Sequence, residues 1–472
     1  MAPQAAQAVA DQSPHFTLPA RRPPLRTLLM SGNAKLTRGS IRGHLVTQTL
    51  PMIVGVAAVM SIGLVDAYFI GQLGSEALAA ISFIFPISVA VASLGVGMMV
   101  GINSVISRAL GEGDSDRAAR RANFGIVLSV AFGVLIGSLL YLLLDPLFSL
   151  MAASSEQLPL IRSYMQPFAL GFPLMMAIMG INGVLRGQGE ARKTSYVSIT
   201  YAAANWVLDP ILITGAFGYE GLGMVGAAYA TLIGWGFGIA MGIWLIRQAA
   251  IPISFKLLGQ CRIGESTTAI LGVAGPAAFS NAINPIGLSV LTALIASESA
   301  AAVAGFGAAG RVQSFAVVPL LGLSGAIGAI IGQNWGARQY ARAREAMWLA
   351  GLFCVGYGLV TAAMLSWGGR WFADFFTEDP AIIDEFASYL RIAAWGYAGF
   401  GLLIVANGAL NALDKANSAL MQSSVRVFLV MLPLGWLARE FYGSSAIYAA
   451  ELAANLVGGT VAVLVVWRAM RR

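Results

Sequence analysis

Apolar runs of roughly 20 residues, each long enough for a helix to cross a bilayer, recur twelve times along this chain. They fall near 47–70, 82–106, 122–144, 159–183, 195–216, 223–246, 267–296, 303–331, 347–368, 386–411, 419–438 and 446–467. Only 11% of the residues are charged, against about 25% in ordinary soluble domains. The pattern predicts an all-α polytopic membrane protein.

Charge placement orients it. With the N-terminus in the cytoplasm, 23 of the 29 Lys and Arg fall on the tail, the even-numbered connections or the C-terminus, as the positive-inside rule requires. Arg117, Arg120 and Arg121 follow the second run, and Arg338, Arg342 and Arg344 follow the eighth. Asp374, Glu378, Asp379, Asp384 and Glu385 make an outer connection acidic. Both termini are therefore expected inside. The same spread argues against nucleic-acid binding, despite a net charge of +7. Residues 1–44 lack an apolar h-region and read as a disordered cytoplasmic tail. A transit peptide is the lesser alternative, since Asp11 is the tail's only acid.

The chain repeats itself. A shift of 225 residues brings Pro51 onto Pro276, Gly97 onto Gly322, Gly111 onto Gly336 and Arg117 onto Arg342. It also brings Ser163-Tyr164 onto Ser388-Tyr389, Gly171 onto Gly396 and Asn182-Gly183 onto Asn407-Gly408. Six crossings return the chain to one side, so the repeat is parallel, with its axis along the membrane normal. This predicts two six-helix lobes, 45–246 and 266–467. A cytoplasmic linker, 247–265, joins them, and 468–472 form a cytoplasmic C-terminus. A substrate route would lie between the lobes.

Within that frame, Asn205-Trp206-Val207-Leu208-Asp209-Pro210 is costly. A carboxylate inside an apolar span is functional by default and faces protein or water. Asn205 and Asp209 are four apart and share a helix face. Asp66 is the one other acid read as lying so deep. With Thr231 of the sixth run, these residues offer carboxylate, amide and hydroxyl oxygens to Na⁺, or a carboxylate pair to protons. Under the 225-residue shift Asp66 becomes Leu291, Asn205 becomes Val430 and Asp209 becomes Leu434. The site is thus expected in the first lobe only, as an ion-coupling centre. Tyr164 and Asn182 are retained in both halves and by the same logic read as scaffold.

Pro51 would bend the first span and move Asp66, unless it is a tolerated first-turn proline. Met175, Met179, Trp206, Trp235 and Phe279 are candidates for an apolar cavity wall, and Arg311 either snorkels outward or joins Gln313 there. Gly187–Thr194 imitates a phosphate loop but has Arg192 where glycine must precede the lysine. Arg186, Arg192 and Lys193 then serve as topology charges. The two histidines both precede the first run, and no nucleophile–base pair stands out. No enzyme, metal centre or cofactor is expected, apart from Na⁺ as a coupling ion at the Asp66/Asp209 site.

These residues resemble the multidrug and toxic compound extrusion (MATE) family, in particular its DinF-like branch. The resemblance is carried by Pro51 with Val65-Asp66 and Ile70-Gly71-Gln72-Leu73-Gly74, and by Arg108-Ala109-Leu110-Gly111. It extends through Asn182-Gly183-Val184-Leu185-Arg186-Gly187, Asn205–Pro210 and Gly226-Ala227-Ala228-Tyr229-Ala230-Thr231. It implies two lobes that open alternately and a cation site at Asp66, Asn205, Asp209 and Thr231, with Tyr164 and Asn182 as network members. The family branch with acids in the second lobe is not matched in the seventh or tenth run. The expected activity is export of amphipathic or cationic organic compounds in exchange for H⁺ or Na⁺, by a monomer in the lipid bilayer of a bacterial inner membrane. The alternative is a flippase for a lipid-linked precursor. A strongly basic cavity would favour the flippase, whereas the charges identifiable here are mainly acidic.

Overall fold

A computed structural model of the chain describes residues 34–471 apart from 152, 217, 219, 252 and 253. Residues 1–33 of the expected tail lie outside the described residues. Among the described residues there is no strand, and twelve helices are long and apolar enough to cross a membrane. They are α1 (Ile41–Gly71), α2 (Ser75–Gly111), α3 (Ser115–Leu142), α4 (Gln157–Gly187), α5 (Ala191–Thr214) and α6 (Met224–Arg247). The second set is α7 (Ile263–Ala296), α8 (Ala300–Gly336), α9 (Tyr340–Ala373), α10 (Pro380–Ala412), α11 (Ala416–Leu437) and α12 (Gly443–Met470). Each contains most of one predicted run.

Several helices outrun the apolar segment because their polar ends are capped. Ser40 accepts the Gly43 N–H through its hydroxyl, and α1 therefore starts at Ile41, inside the stretch expected to be tail. Ile41 and Leu45 are buried in the core of the second half, together with Leu36. Ile270 and Ala274 of α7 are correspondingly buried in the core of the first half. Leu45 and Ile270 are 225 apart, so each lobe's first helix begins its course against the other lobe.

The repeat is visible as a pseudo-two-fold axis. A Cβ on Gly97 would lie 2.5 Å from the Ala274 carbonyl oxygen of α7, and one on Gly322 would lie 2.8 Å from Ile53 Cγ1 of α1. Nearer the termini, α2 and α8 cross on Gly111 and Gly336. A Cβ there would come within 2.2 Å of the Gln333 carbonyl oxygen and 2.4 Å of the Arg108 carbonyl oxygen respectively. Arg108 Nη1 donates to the Ala412 carbonyl at 3.2 Å, and Gln333 Nε2 donates to the Gly187 carbonyl at 3.0 Å. Both pairs obey the same shift. These approaches all lie in the half of the bundle that carries the termini, where the lobes are closed on each other. The linker packs beneath the first lobe, where the Ser254 N–H donates to Asn123 Oδ1 at 2.7 Å.

Candidate coupling site and central cavity

α5 changes pitch at the stretch that stood out in sequence. It is α-helical to Asp209 and widens into a π turn over Pro210–Thr214. Pro210 has no N–H to return to the Trp206 carbonyl, which removes one rung of the ladder there. The loop after it caps the end of the π turn, with the Leu222 and Gly223 N–H groups donating to the Leu212 and Ile213 carbonyls.

Asp209 is fully buried and Asn205 nearly so. Asn205 Nδ2 donates to Thr231 Oγ1 of α6 at 3.5 Å. Asp66 of α1 is half-buried and lies beside both Asp209 and Asn205. Tyr164 of α4 reaches Thr231 and lies near both carboxylates, with its ring on Phe168 and Phe168 on Trp235. Asp66 Oδ1, Asn205 Oδ1 and both Asp209 oxygens are buried without a hydrogen bond. Among the described residues no Lys, Arg or His forms an ion pair with either acid. Two bare charges about 4 Å apart would repel by about 4 kcal/mol even at an effective dielectric of about 20. The cluster is thus chemically suited to take a proton or a cation that favours hard oxygen ligands.

Between the lobes lies a cavity of about 530 Å³. Met179, Asn182 and Gln313 line it, as do Asn407 and Ser423 of the second lobe. The other candidates for its wall do not. Met175 and Trp235 are buried in first-lobe packing, while Trp206 and Phe279 are exposed and outside the lining. Arg311 is also exposed and outside it, because positions two apart on a helix point about 200° apart and Gln313 takes the inward one. Repeat symmetry makes Asn182 and Tyr164 scaffold and the resemblance makes them network members; Asn182 faces the cavity and Tyr164 faces the acids. They stay far apart along α4, so they serve different places.

The charge of the cavity differs most from expectation. Among the described residues Arg186 and Arg426 line it, and no Asp or Glu does. Arg186 sits just past a predicted run and passed for a loop charge; its Nε is buried without a partner. Arg426 lies inside the eleventh run, in a π turn over Val425–Met431, and is 2% exposed. Its Nε and Nη1 donate to Asn455 Oδ1 at 2.7 Å and Asn284 Oδ1 at 2.8 Å, and its guanidinium lies 4.5 Å from the Phe400 ring centroid. Behind it is a deep acid outside the expected site. Glu451 of α12 is 1% exposed and bonded to Gln313 and Tyr389. A count of charges per run, rather than a search for aligned acids, would have found Glu451 and Arg426.

Two helical lobes around a basic cavity, with an acid cluster buried in one of them, place the chain among the two-lobed multi-pass transporters. It belongs to the MatE family, whose model matches residues 51–211 and 276–437. A FAD transporter of Shewanella oneidensis is 31% identical over 415 residues, covering 88% of this chain and 92% of that protein. The probable multidrug resistance protein YpnP of Bacillus subtilis is 25% identical, covering 87% and 91%. Among solved structures, the Vibrio cholerae MATE transporter VcmN superposes with a TM-score of 0.86 at 30% identity, covering 94% of this chain and 98% of that one.

Proposed function

We propose that this transporter exports organic compounds through the interlobe cavity in exchange for H⁺ or Na⁺ taken up at Asp66 and Asp209. The observation that carries the coupling half is the set of buried oxygens of Asp66, Asn205 and Asp209 that lack a hydrogen bond, with no ion-paired cation among the described residues. Charge placement in the loops supports cytoplasmic termini, in which case the closed end of the bundle is the inner one and the cavity faces outward. Loading the acid cluster removes its repulsion and favours the return to the inward-open state. Pro51 is the eleventh residue of α1, well past the first turn, and its carbonyl accepts the Ser195 hydroxyl of α5. A bend there would carry Asp66 with it.

The cargo preference is revised. Two arginines and no carboxylate in the lining suit neutral or anionic amphiphiles better than the cations expected from sequence. The flavin relative fits this, since FAD joins flat aromatic rings to two phosphates. A lipid-linked pyrophosphate has the same charge, so the flippase reading gains from the basic lining. Family membership and the relatives' names support export.

Purified protein in liposomes, with H⁺ and Na⁺ gradients imposed separately, tests all of this. FAD, ethidium and a fluorescent lipid-linked pyrophosphate serve as probes. Gradient-driven FAD export that falls to the undriven level in Asp209→Asn is the expected result. Full driven export by Asp209→Asn would refute the coupling site. Transport of ethidium alone would refute the cargo charge, and flipping of the lipid alone would favour the alternative.

A further inference from the structure

Three second-lobe side chains form a closed ring whose hydrogens can be counted. Gln313 Nε2 lies 2.9 Å from Glu451 Oε1, Tyr389 Oη lies 2.9 Å from Gln313 Oε1, and Tyr389 Oη lies 3.0 Å from Glu451 Oε2. Each of these contacts needs a hydrogen between its two heavy atoms. The amide supplies one and the phenol supplies one. Turning the amide over exchanges its nitrogen and oxygen but still supplies only one. With Glu451 ionised, one contact is therefore oxygen against oxygen with nothing between, whichever way the amide points. With Glu451 protonated, the carboxylic acid supplies the third hydrogen and every contact closes.

The surroundings agree. The three residues are 7%, 0% and 1% exposed for Gln313, Tyr389 and Glu451, so water cannot freely relieve a mismatch. The charged group facing Glu451 is Arg426 from α11, with Tyr397 on α10 and Tyr448 one turn away on α12 itself. Arg426 makes no ion pair with Glu451. It donates instead to two neutral amides, Asn284 of α7 and Asn455 of α12, although Asn455 is just one turn from the acid. A bare carboxylate in that place would draw the guanidinium to itself.

We propose that Glu451 is a proton-binding site of the second lobe, occupied in this conformation and exposed to the state of the cavity through Gln313. Gln313 belongs both to the ring and to the cavity wall. A guest that draws the Gln313 amide away from Glu451 and Tyr389 opens the ring, and Glu451 can then release its proton and pair with Arg426. The place of this step in coupling rests on the export reading above; the proton itself does not.

Infrared spectroscopy of membranes containing Asp66→Asn/Asp209→Asn protein tests it at neutral pH. The expected spectrum contains the carbonyl stretch of a neutral carboxylic acid, which disappears when Glu451→Gln is added. A glutamine can close the same ring, so that variant should fold. Identical spectra with and without Glu451→Gln would overturn the proposal. Tyr389→Phe in the same background gives a second reading. Loss of one hydrogen bond should move the band to higher frequency, and an unmoved band would equally count against the ring. The spectrum is indifferent to transport, so it can fail while export stands, and the reverse.

Discussion

Tyr164 and Tyr389 lie 225 residues apart, on the fourth helix of each lobe, and they meet different acids. In the first lobe the acids come from α1 and α5, and their oxygens are left without partners. In the second lobe the acid comes from α12 and is bonded to Gln313 and Tyr389. Asn182 and Asn407 differ in the same sense. Asn182 Oδ1 is unbonded in the cavity wall, while Asn407 bonds Ser423 at 3.0 Å and Gln422 at 2.6 Å. The scaffold thus delivers equivalent residues to both lobes, and what they meet decides the chemistry. One lobe leaves its acids' oxygens unpaired, and the other bonds its acid to its neighbours.

The sharpest way to break this comparison is through the two cavity arginines. Arg426→Leu strands the buried Asn455 Oδ1 and the half-buried Asn284 Oδ1 of the cavity wall, and should lower stability by about 2–4 kcal/mol. Arg186 has no hydrogen bond to lose among the described residues, so Arg186→Leu should cost less than about 1 kcal/mol. Denaturation midpoints of the two variants in detergent check the difference. Both changes should weaken an anionic guest about tenfold, equivalent to about 1.4 kcal/mol. Equal stability losses would mean that the second-lobe network is no more tightly bonded than the first.

A middle-sized effect separates the tyrosines. Tyr389→Phe opens a fully buried ring and should cost about 1–3 kcal/mol. Tyr164→Phe removes a hydroxyl from a cluster whose acids are unsatisfied anyway, and should cost about 1 kcal/mol or less. Its larger consequence should be in ion binding, read as the cation concentration for half-maximal export. If Tyr164→Phe destabilises as much as Tyr389→Phe, the first-lobe site is a structural network rather than a receiving one.

Much of this was legible from the residues. Apolar runs located all twelve helices, because no soluble packing needs so many. Asp209 and Asp66 stood out by cost and Asn205 by its spacing from Asp209, whereas Thr231 entered only through its depth in the sixth run. The structure then places Asp66 beside them, a juxtaposition of α1 with α5 that no local pattern contains. Glu451 escaped because the comparison of halves asked whether the first-lobe acids recur at +225. The second lobe's acid sits instead where the first lobe has Gly226, and the shared element is the tyrosine. Arg186 escaped for a different reason. α4 continues past the apolar run to Gly187, so a residue that reads as a loop charge is still on the helix and faces inward.

The smallest effect belongs where the lobes are most alike, at the closed end. Arg108 and Gln333 are repeat equivalents, and each donates across the interface to a carbonyl at equivalent positions, Ala412 and Gly187. Their surroundings are unequal. Gln333 is fully buried, and its Oε1 also accepts the Leu36 N–H at 3.0 Å, so it ties the segment before α1 into the seam. Arg108 is paired with Asp414, whose side chain is 66% exposed, and such pairs contribute at most about 1 kcal/mol. Gln333→Ala should therefore release the closed end by about 1–2 kcal/mol, and Arg108→Ala by about 0.5 kcal/mol. Spin labels at the exposed Arg192 and Arg344, one on each lobe, would report the change as a growing long-distance population. The Arg108 variant should shift that population by a factor of about two, since 0.5 kcal/mol is close to RT. If Arg108→Ala opens the seam more than Gln333→Ala, the exposed charge matters more there than the buried amide, and the two halves of the gate have been ranked in the wrong order.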